Sequence, residues 1–122
     1  MIQAIRGATT VDNDREEDIS SRSVELIKEI LENNPYIRVI SITISTTEDI
    51  TSAYPAKAIR LSGICDAPLF SALEPPIKGA LAKCIRVMLL VESDNAPRHI
   101  YMRGAKVLRP DYANKAPKGK TI

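Results

Sequence analysis

The chain has 122 residues, the size of a single domain, and 44% of them are hydrophobic, as is typical of globular rather than disordered proteins. The formal net charge of +2 and the lack of Lys/Arg runs interleaved with aromatic residues argue against a nucleic-acid partner. The sequence has no apolar stretch long enough to cross a bilayer and no signal-peptide pattern at its start. We therefore expect no membrane partner and a cytoplasmic location, with Cys65 and Cys84 as reduced thiols.

The first part of the chain predicts a strand, a turn and a long helix. Residues 2–6 alternate weakly between apolar and polar, and the glycine-containing segment 7–10 predicts a turn. Residues 12–33 predict the main helix, because apolar side chains recur on one stripe and Asp14 and Glu17 have capping-box spacing. Since only one side of this helix is apolar, we expect it to lie on a sheet.

The rest of the chain predicts further extended segments and one short helix. The helix is expected at 51–61, with Pro55 near its first turn and Gly63 closing it. A helical turn is expected at 79–83. Extended segments are predicted at 37–46, 67–72, 83–92, 98–102 and 106–108, and a mobile tail is expected from residue 110. About five strands and two helices without strict alternation favour an α+β fold, a mixed five-stranded sheet packed against helices.

The strand predicted at 37–46 has two unlike faces. Isoleucines occupy alternate positions on one face, whereas Ser41, Thr43 and Ser45 share the other. A polar, uncharged sheet face in a small domain is often covered by another subunit. This pattern predicts a homo-oligomer.

Arg86 interrupts a run, residues 84–91, that is otherwise apolar on both strand faces. A guanidinium cannot lose its charge, and burial without a counter-ion is costly. We therefore expect Arg86 to be buried and to need an anion. That anion is either an internal carboxylate, for which Glu74 is the candidate, or a ligand.

The sequence lacks the usual groups for acid–base, nucleophilic or metal chemistry. His99 is the one histidine, no metal-ligand spacing or phosphate-binding loop is present, and we expect no cofactor. Cations instead stand at predicted strand ends, on the short helix and inside the central strand: Arg6 and Arg109, Lys57 and Arg60, and Arg86. Several such cations without a catalytic histidine suit a multiply charged carboxylate ligand.

Four ordered segments carry a family resemblance: Ile-Arg-Gly-Ala-Thr-Thr-Val at 5–11, Pro-Ala-Lys-Ala-Ile-Arg at 55–60, Lys-Cys-Ile-Arg-Val-Met at 83–88 and Val-Leu-Arg-Pro-Asp at 107–111. Together they resemble the monofunctional chorismate mutases of the trimeric α/β class. The resemblance implies a homotrimeric pseudo α/β-barrel with sites at subunit interfaces. It also implies conversion of chorismate to prephenate in aromatic amino-acid biosynthesis. We expect one domain at 1–111 and a flexible C-terminal tail at 112–122.

The resemblance also implies roles for residues around the reacting atoms. Arg86 would be the catalytic cation set against the ether oxygen of the substrate, and Glu74 would hold the substrate hydroxyl. Arg6 and Tyr101 would bind carboxylates. Such a one-molecule rearrangement needs orientation and charge stabilisation rather than proton transfer.

Other substrate-binding positions are implied at the edge of the site. Tyr54, Lys57 and Arg60 match an entrance segment supplied by the neighbouring subunit, and Arg109 matches a mobile C-terminal contribution. Phe70 and Ser71 match the segment that lines the pocket. This chain departs from the family pattern here, with Ser71 for a frequent cysteine, Phe70 for threonine and Tyr54 for phenylalanine.

Two alternative functions remain open from the residues. One is an imine or enamine deaminase of the Rid type on a similar trimeric scaffold, which also places an arginine at a subunit cleft. The other is a trimer that binds a carboxylate metabolite without turnover.

Overall fold

The computed structural model of the chain describes residues 1–113 as one sheet with helices packed on it. The strands are β1 Ile2–Thr10, β2 Arg38–Thr46, β3 Leu69–Leu73, β4 Cys84–Glu92 and β5 Ile100–Tyr101. The helices are α1 Glu16–Asn33, α2 Pro55–Ser62, a 3₁₀ helix Arg103–Leu108 and the short α3 Pro110–Ala113. No helix within residues 1–113 combines the length and apolar character needed to span a membrane.

The sheet is mixed, with strand order β3-β2-β4-β1-β5. β4 pairs antiparallel with β1 and β2, whereas the two edge strands, β3 and β5, run parallel to their neighbours. The predicted mixed five-stranded sheet is therefore confirmed, and its apolar strand lies at the centre.

One face of the sheet carries the hydrophobic core. On β4, Ile85 and Leu89 are fully buried, as strand alternation predicts, and they share one cluster with Leu26 and Ile30 of α1. The stripe predicted on the main helix is therefore the stripe that packs on the sheet. The core of the described residues is almost entirely aliphatic, which follows from a sequence with one phenylalanine and no tryptophan.

The other face of the sheet is open along much of its area. Phe70 is 70% exposed, Met88 45% and Leu90 38%, and Thr43 is exposed between them. Large apolar side chains on an uncovered face indicate a surface for a partner.

Gly7 does not turn the chain, contrary to the sequence prediction. β1 continues to Thr10 and pairs with β4 along all of its nine residues. A Cβ at position 7 would lie 2.6 Å from Ile30 Cδ1 and 3.1 Å from Val87 Cγ2. Glycine is required there because the main helix approaches the strand closely.

The predicted capping box is also absent. α1 begins at Glu16 rather than near residue 12, and its N-cap, Arg15, makes no side-chain capping bond. The carboxylate of Asp14 instead accepts hydrogen bonds from the backbone N–H groups of Thr51 and Ser52, at 2.9 and 3.0 Å, and from the Thr51 hydroxyl. Asp14 therefore binds residues distant in sequence instead of capping the main helix.

The predictions for the remaining segments have mixed outcomes. α2 begins at Pro55 and ends before Gly63, whose φ of 71° is the left-handed cap that the sequence predicts. Residues 79–83 are not helical, and 106–108 belong to a 3₁₀ helix rather than a strand. The predicted tail begins with the turn of α3, and its residues 114–122 lie outside the described part of the chain.

Candidate active site

A cavity of about 370 Å³ opens on the uncovered face of the sheet, near the start of β4. It brings together four residues that the family resemblance implies as functional: Arg6, Glu74, Arg86 and Tyr101. Its other lining residues are Gly7, Thr43, Ser45, Val87 and Met88.

Strand register explains why these side chains meet. Arg86 on β4 lies opposite Ala8 of β1 on one side and Ser45 of β2 on the other. Ala8 is in turn opposite Tyr101 of β5. Because paired strands lie about 4.8 Å apart and paired side chains share a face, one row across the sheet runs from Ser45 through Arg86 and Ala8 to Tyr101. Arg6 occupies the adjacent row, opposite Met88.

Arg86 is not buried, contrary to the sequence prediction. Its side chain is 46% exposed because the face that carries it is uncovered in the single chain. The apolar neighbours Met88 and Leu90 are exposed for the same reason. The run of residues 84–91 is apolar on both faces, but only the face of Ile85 packs on the helices.

An internal carboxylate does lie near Arg86, but not in hydrogen-bonding contact. Arg86 Nε is 4.0 Å from Glu74 Oε1, whereas charge-assisted N–H···O bonds are about 2.7–2.9 Å long. Glu74 is therefore the nearby internal carboxylate, and a ligand as counter-ion stays a prediction. Glu74 faces the guanidinium, and a cavity that a ligand can enter lies in front of both.

Glu74 is held by its own backbone and by a residue that the sequence reading missed. Its N–H donates to the carbonyl of Thr46 at 2.8 Å, extending the β2–β3 ladder one residue past β3. The Ser45 hydroxyl donates a hydrogen bond to Glu74 Oε2. The sequence predicts Ser45 only as part of a polar sheet face that another subunit covers. Ser45 alternates with the isoleucines of β2 and so lies on the opposite face, which also carries Arg86. This alternation is the sequence signal that could have placed Ser45 near the site.

His99 contacts both the edge of the sheet and the C-terminal segment. Its Nδ1 accepts a hydrogen bond of 2.9 Å from the backbone N–H of Arg6, and its ring lies 4.5 Å from the Tyr112 ring. The histidine thus fixes the edge of the sheet beside the cavity.

The start of β4 is fixed by polar contacts. The N–H of Lys83, a residue with φ of 49°, donates to both carboxylate oxygens of Asp49 at 3.1 and 2.9 Å. The N–H of Cys84 donates to Thr47 Oγ1 at 2.9 Å. These bonds set where Arg86 lies along the strand. Burial raises the pKa of the Cys84 thiol, which is therefore a packing residue rather than a nucleophile.

The residues that the resemblance implies at the entrance line cavities other than that of Arg86 in the single chain. Tyr54, Lys57 and Ser71 line a separate cavity of about 580 Å³ beside α2. Tyr54, Lys57 and Arg60 line another of about 640 Å³. Phe70 lies on the open face in register with Thr43, so Ser71 points to the opposite face. Within one chain, Tyr54, Lys57, Arg60 and Ser71 therefore do not line the cavity of Arg86.

Arg109 is engaged within its own C-terminal segment. Its Nη2 lies 2.8 Å from Asp111 Oδ2, and its guanidinium carbon lies 3.9 Å from the centre of the Tyr112 ring. The hydrogen bond to Asp111 raises the pKa of Arg109 and lowers that of the aspartate. Arg109 does not line the cavity of Arg86.

Comparisons with known proteins agree with this geometry. The family model described as chorismate mutase type I matches residues 2–112. The chorismate mutases AroH of Thermus thermophilus and Bacillus subtilis are each 42% identical over 117 residues, covering 91% of this chain and 96% and 92% of those proteins. A solved chorismate mutase from Clostridium thermocellum superposes with a TM-score of 0.81 at 39% identity, covering 86% of this chain and 98% of that one. The chain belongs to the chorismate mutase type I family.

Proposed function

We propose that this chorismate mutase converts chorismate to prephenate in the cavity lined by Arg6, Glu74, Arg86 and Tyr101. The observation that carries the proposal is the convergence of two guanidiniums, a phenol and a carboxylate in one cavity. Chorismate presents matching groups: two carboxylates, a hydroxyl and the ether oxygen of the bond that breaks. The family match favours this reaction over the imine or enamine deaminase alternative.

Binding must hold a flexible dianion in its compact reactive conformation. Arg6 and Tyr101 supply donors for carboxylates, and Glu74 accepts a hydrogen bond from the substrate hydroxyl. Fixing both ends of the molecule brings the two reacting carbons into contact, which removes much of the entropic barrier to a one-molecule reaction.

Arg86 supplies the electrostatic part of catalysis. As the carbon–oxygen bond breaks, the ether oxygen gains negative charge, and a guanidinium already in place meets that charge without reorganising. One preorganised donor of this kind contributes about 3–4 kcal/mol. The interaction raises the rate because it is stronger in the transition state than in bound chorismate.

The active assembly in this proposal is a homotrimer with a pseudo α/β-barrel and sites at its subunit interfaces. Three observations support it. The open sheet face exposes Phe70, Met88 and Leu90. Arg86 remains 46% exposed, and charge stabilisation is strongest where water is excluded. Within one chain, the entrance residues line cavities other than that of Arg86.

The neighbouring subunit would contribute the entrance residues Tyr54, Lys57 and Arg60. The two cations would meet substrate carboxylates at the entrance, and Phe70 and Ser71 would shape the wall. Arg109 would join from the C-terminal segment. The free thiols of Cys65 and Cys84 fit the reducing cytoplasm, where we place the enzyme.

The direct test is loss of chorismate absorbance on adding the purified protein, with prephenate identified as the product by NMR. Turnover to prephenate supports the proposal. Tight prephenate binding without turnover would instead support the non-catalytic alternative. Hydrolysis of an imine substrate with chorismate left unchanged would support the deaminase.

A further inference from the structure

We propose that Ser45 is a positioning residue that holds Glu74 away from Arg86 and so leaves the guanidinium available to the substrate. The inference rests on the proposed function. It concerns a serine in the middle of the cavity wall, on the strand next to Arg86.

The two oxygens of Glu74 have different partners. The Ser45 hydroxyl donates to Oε2, whereas Oε1 faces Arg86 Nε at 4.0 Å. With one oxygen held by the serine, the carboxylate does not form the two parallel N–H···O bonds that an arginine and a carboxylate otherwise prefer. Glu74 is therefore kept close to Arg86 but short of a closed ion pair.

Glu74 needs such a restraint because of where it stands. It is the first residue after β3 and is followed by Pro75, so the strand ladder fixes its backbone but not its side chain. A glutamate side chain has several freely rotating bonds. Ser45, in contrast, has a short side chain and is paired within β2, one residue before the strand ends, so the register opposite Arg86 fixes its position.

Loss of the Ser45 hydroxyl should therefore change kcat more than KM. Without the Ser45 hydroxyl, Glu74 can rotate into a bidentate pair with Arg86. The guanidinium would then be occupied when charge develops on the ether oxygen. Carboxylate binding by Arg6 and Tyr101 would be largely unchanged. We expect Ser45→Ala to lower kcat about tenfold, the loss that a hydrogen bond to a charged group typically produces, with less than about a threefold change in KM.

Two variants serve as controls. Ser45→Thr keeps the hydroxyl and suits a strand, so we expect it to retain most of the activity. Ser41→Ala removes the same group from the same strand and face, but Ser41 lies opposite Leu90 and outside the cavity. We expect Ser41→Ala to leave kcat unchanged.

A double-mutant cycle with Glu74→Ala separates positioning from a merely structural role. If Ser45 acts through Glu74, Ser45→Ala has no further effect on kcat once Glu74 is alanine. An equal loss in both backgrounds, or wild-type kcat in Ser45→Ala, would overturn the inference. Should Ser45→Ala fail to fold, Ser45→Cys, which has a similar size but is a weaker donor, takes its place in the cycle. Wild-type turnover is measured in the same assay. An inactive wild type would contradict the proposed function, whereas an active wild type with the wrong result for Ser45→Ala would contradict only the role of Ser45.

Discussion

Arg86 and Glu74 face each other across the open cavity with Arg86 Nε and Glu74 Oε1 4.0 Å apart. This distance is too long for a hydrogen bond but short enough for each charge to stabilise the other. Glu74 therefore lies beside the guanidinium without closing an ion pair on it, and both side chains line the cavity. A closed ion pair would have made Arg86 a structural residue.

Replacing Arg86 by alanine should lower kcat by about two to three orders of magnitude, the loss typical of a removed preorganised donor. The fold should survive, because the side chain is about half-exposed and outside the core. Turnover of chorismate measures the effect, with circular dichroism and gel filtration to check structure. Arg38→Ala, which removes an exposed guanidinium at the start of β2, is the matched control and should keep full activity. Near-normal turnover by Arg86→Ala would exclude the mechanism.

Mixing two defective variants should restore activity if each site spans two subunits. One variant carries Arg86→Ala, and the other carries Lys57→Ala together with Arg60→Ala, which we expect to raise KM. After unfolding and refolding as a 1:1 mixture, about a quarter of the interfaces in a cyclic trimer combine the two intact halves. At low chorismate concentration the mixture should exceed both parent proteins refolded alone. Activity equal to the mean of the parents would show that the site lies within one chain.

Gly7→Ala should destabilise the fold by about 1–3 kcal/mol, the usual cost of overpacking. The new methyl group would meet Ile30 Cδ1 at 2.6 Å and the carbonyl oxygen of Ile100 at 3.3 Å, so the Ile30 side chain, the helix or the edge strand must shift. Chemical denaturation measures the loss. Gly63→Ala is a contrasting control, because a Cβ there meets nothing within 4 Å and any cost comes from φ of 71° alone. Unchanged stability of Gly7→Ala would contradict the close packing described here.

Asp14→Asn should lower the melting temperature relative to the wild type near neutral pH. This difference in melting temperature should become smaller at acidic pH. Donation from the Thr51 hydroxyl and from the N–H groups of Thr51 and Ser52 holds the pKa of Asp14 below its usual range. A depressed pKa stabilises the folded state above the unfolded value of about 3.9, and this stabilisation is lost as pH falls through the lower folded value. Melting curves of both proteins between pH 7 and about 2.5 test this. A deficit independent of pH would show that the charge of Asp14 is not what matters.

The site was only partly predictable from the residues themselves. Several cations without a catalytic histidine indicated a carboxylate ligand, and Glu74 was the candidate internal partner of Arg86. The family resemblance added Tyr101 and the role of Glu74 toward the substrate hydroxyl. Ser45 escaped both readings, because its importance comes from lying opposite Arg86 in the β2–β4 register. No pattern among neighbouring residues in the sequence predicts that Ser45 and Arg86 lie opposite each other.

By itself, the sequence determined what depends on neighbours along the chain. Alternation on β4 predicted the buried face of Ile85 and Leu89, helical period predicted the stripe that contains Leu26, and Gly63 predicted the end of α2. Only the tertiary structure decided that Gly7 lies in a strand under a helix, that Asp14 caps no helix and that Arg86 is exposed beside Glu74. Each of these depends on residues distant in sequence, whose contacts arise from strand pairing and packing rather than from local periodicity.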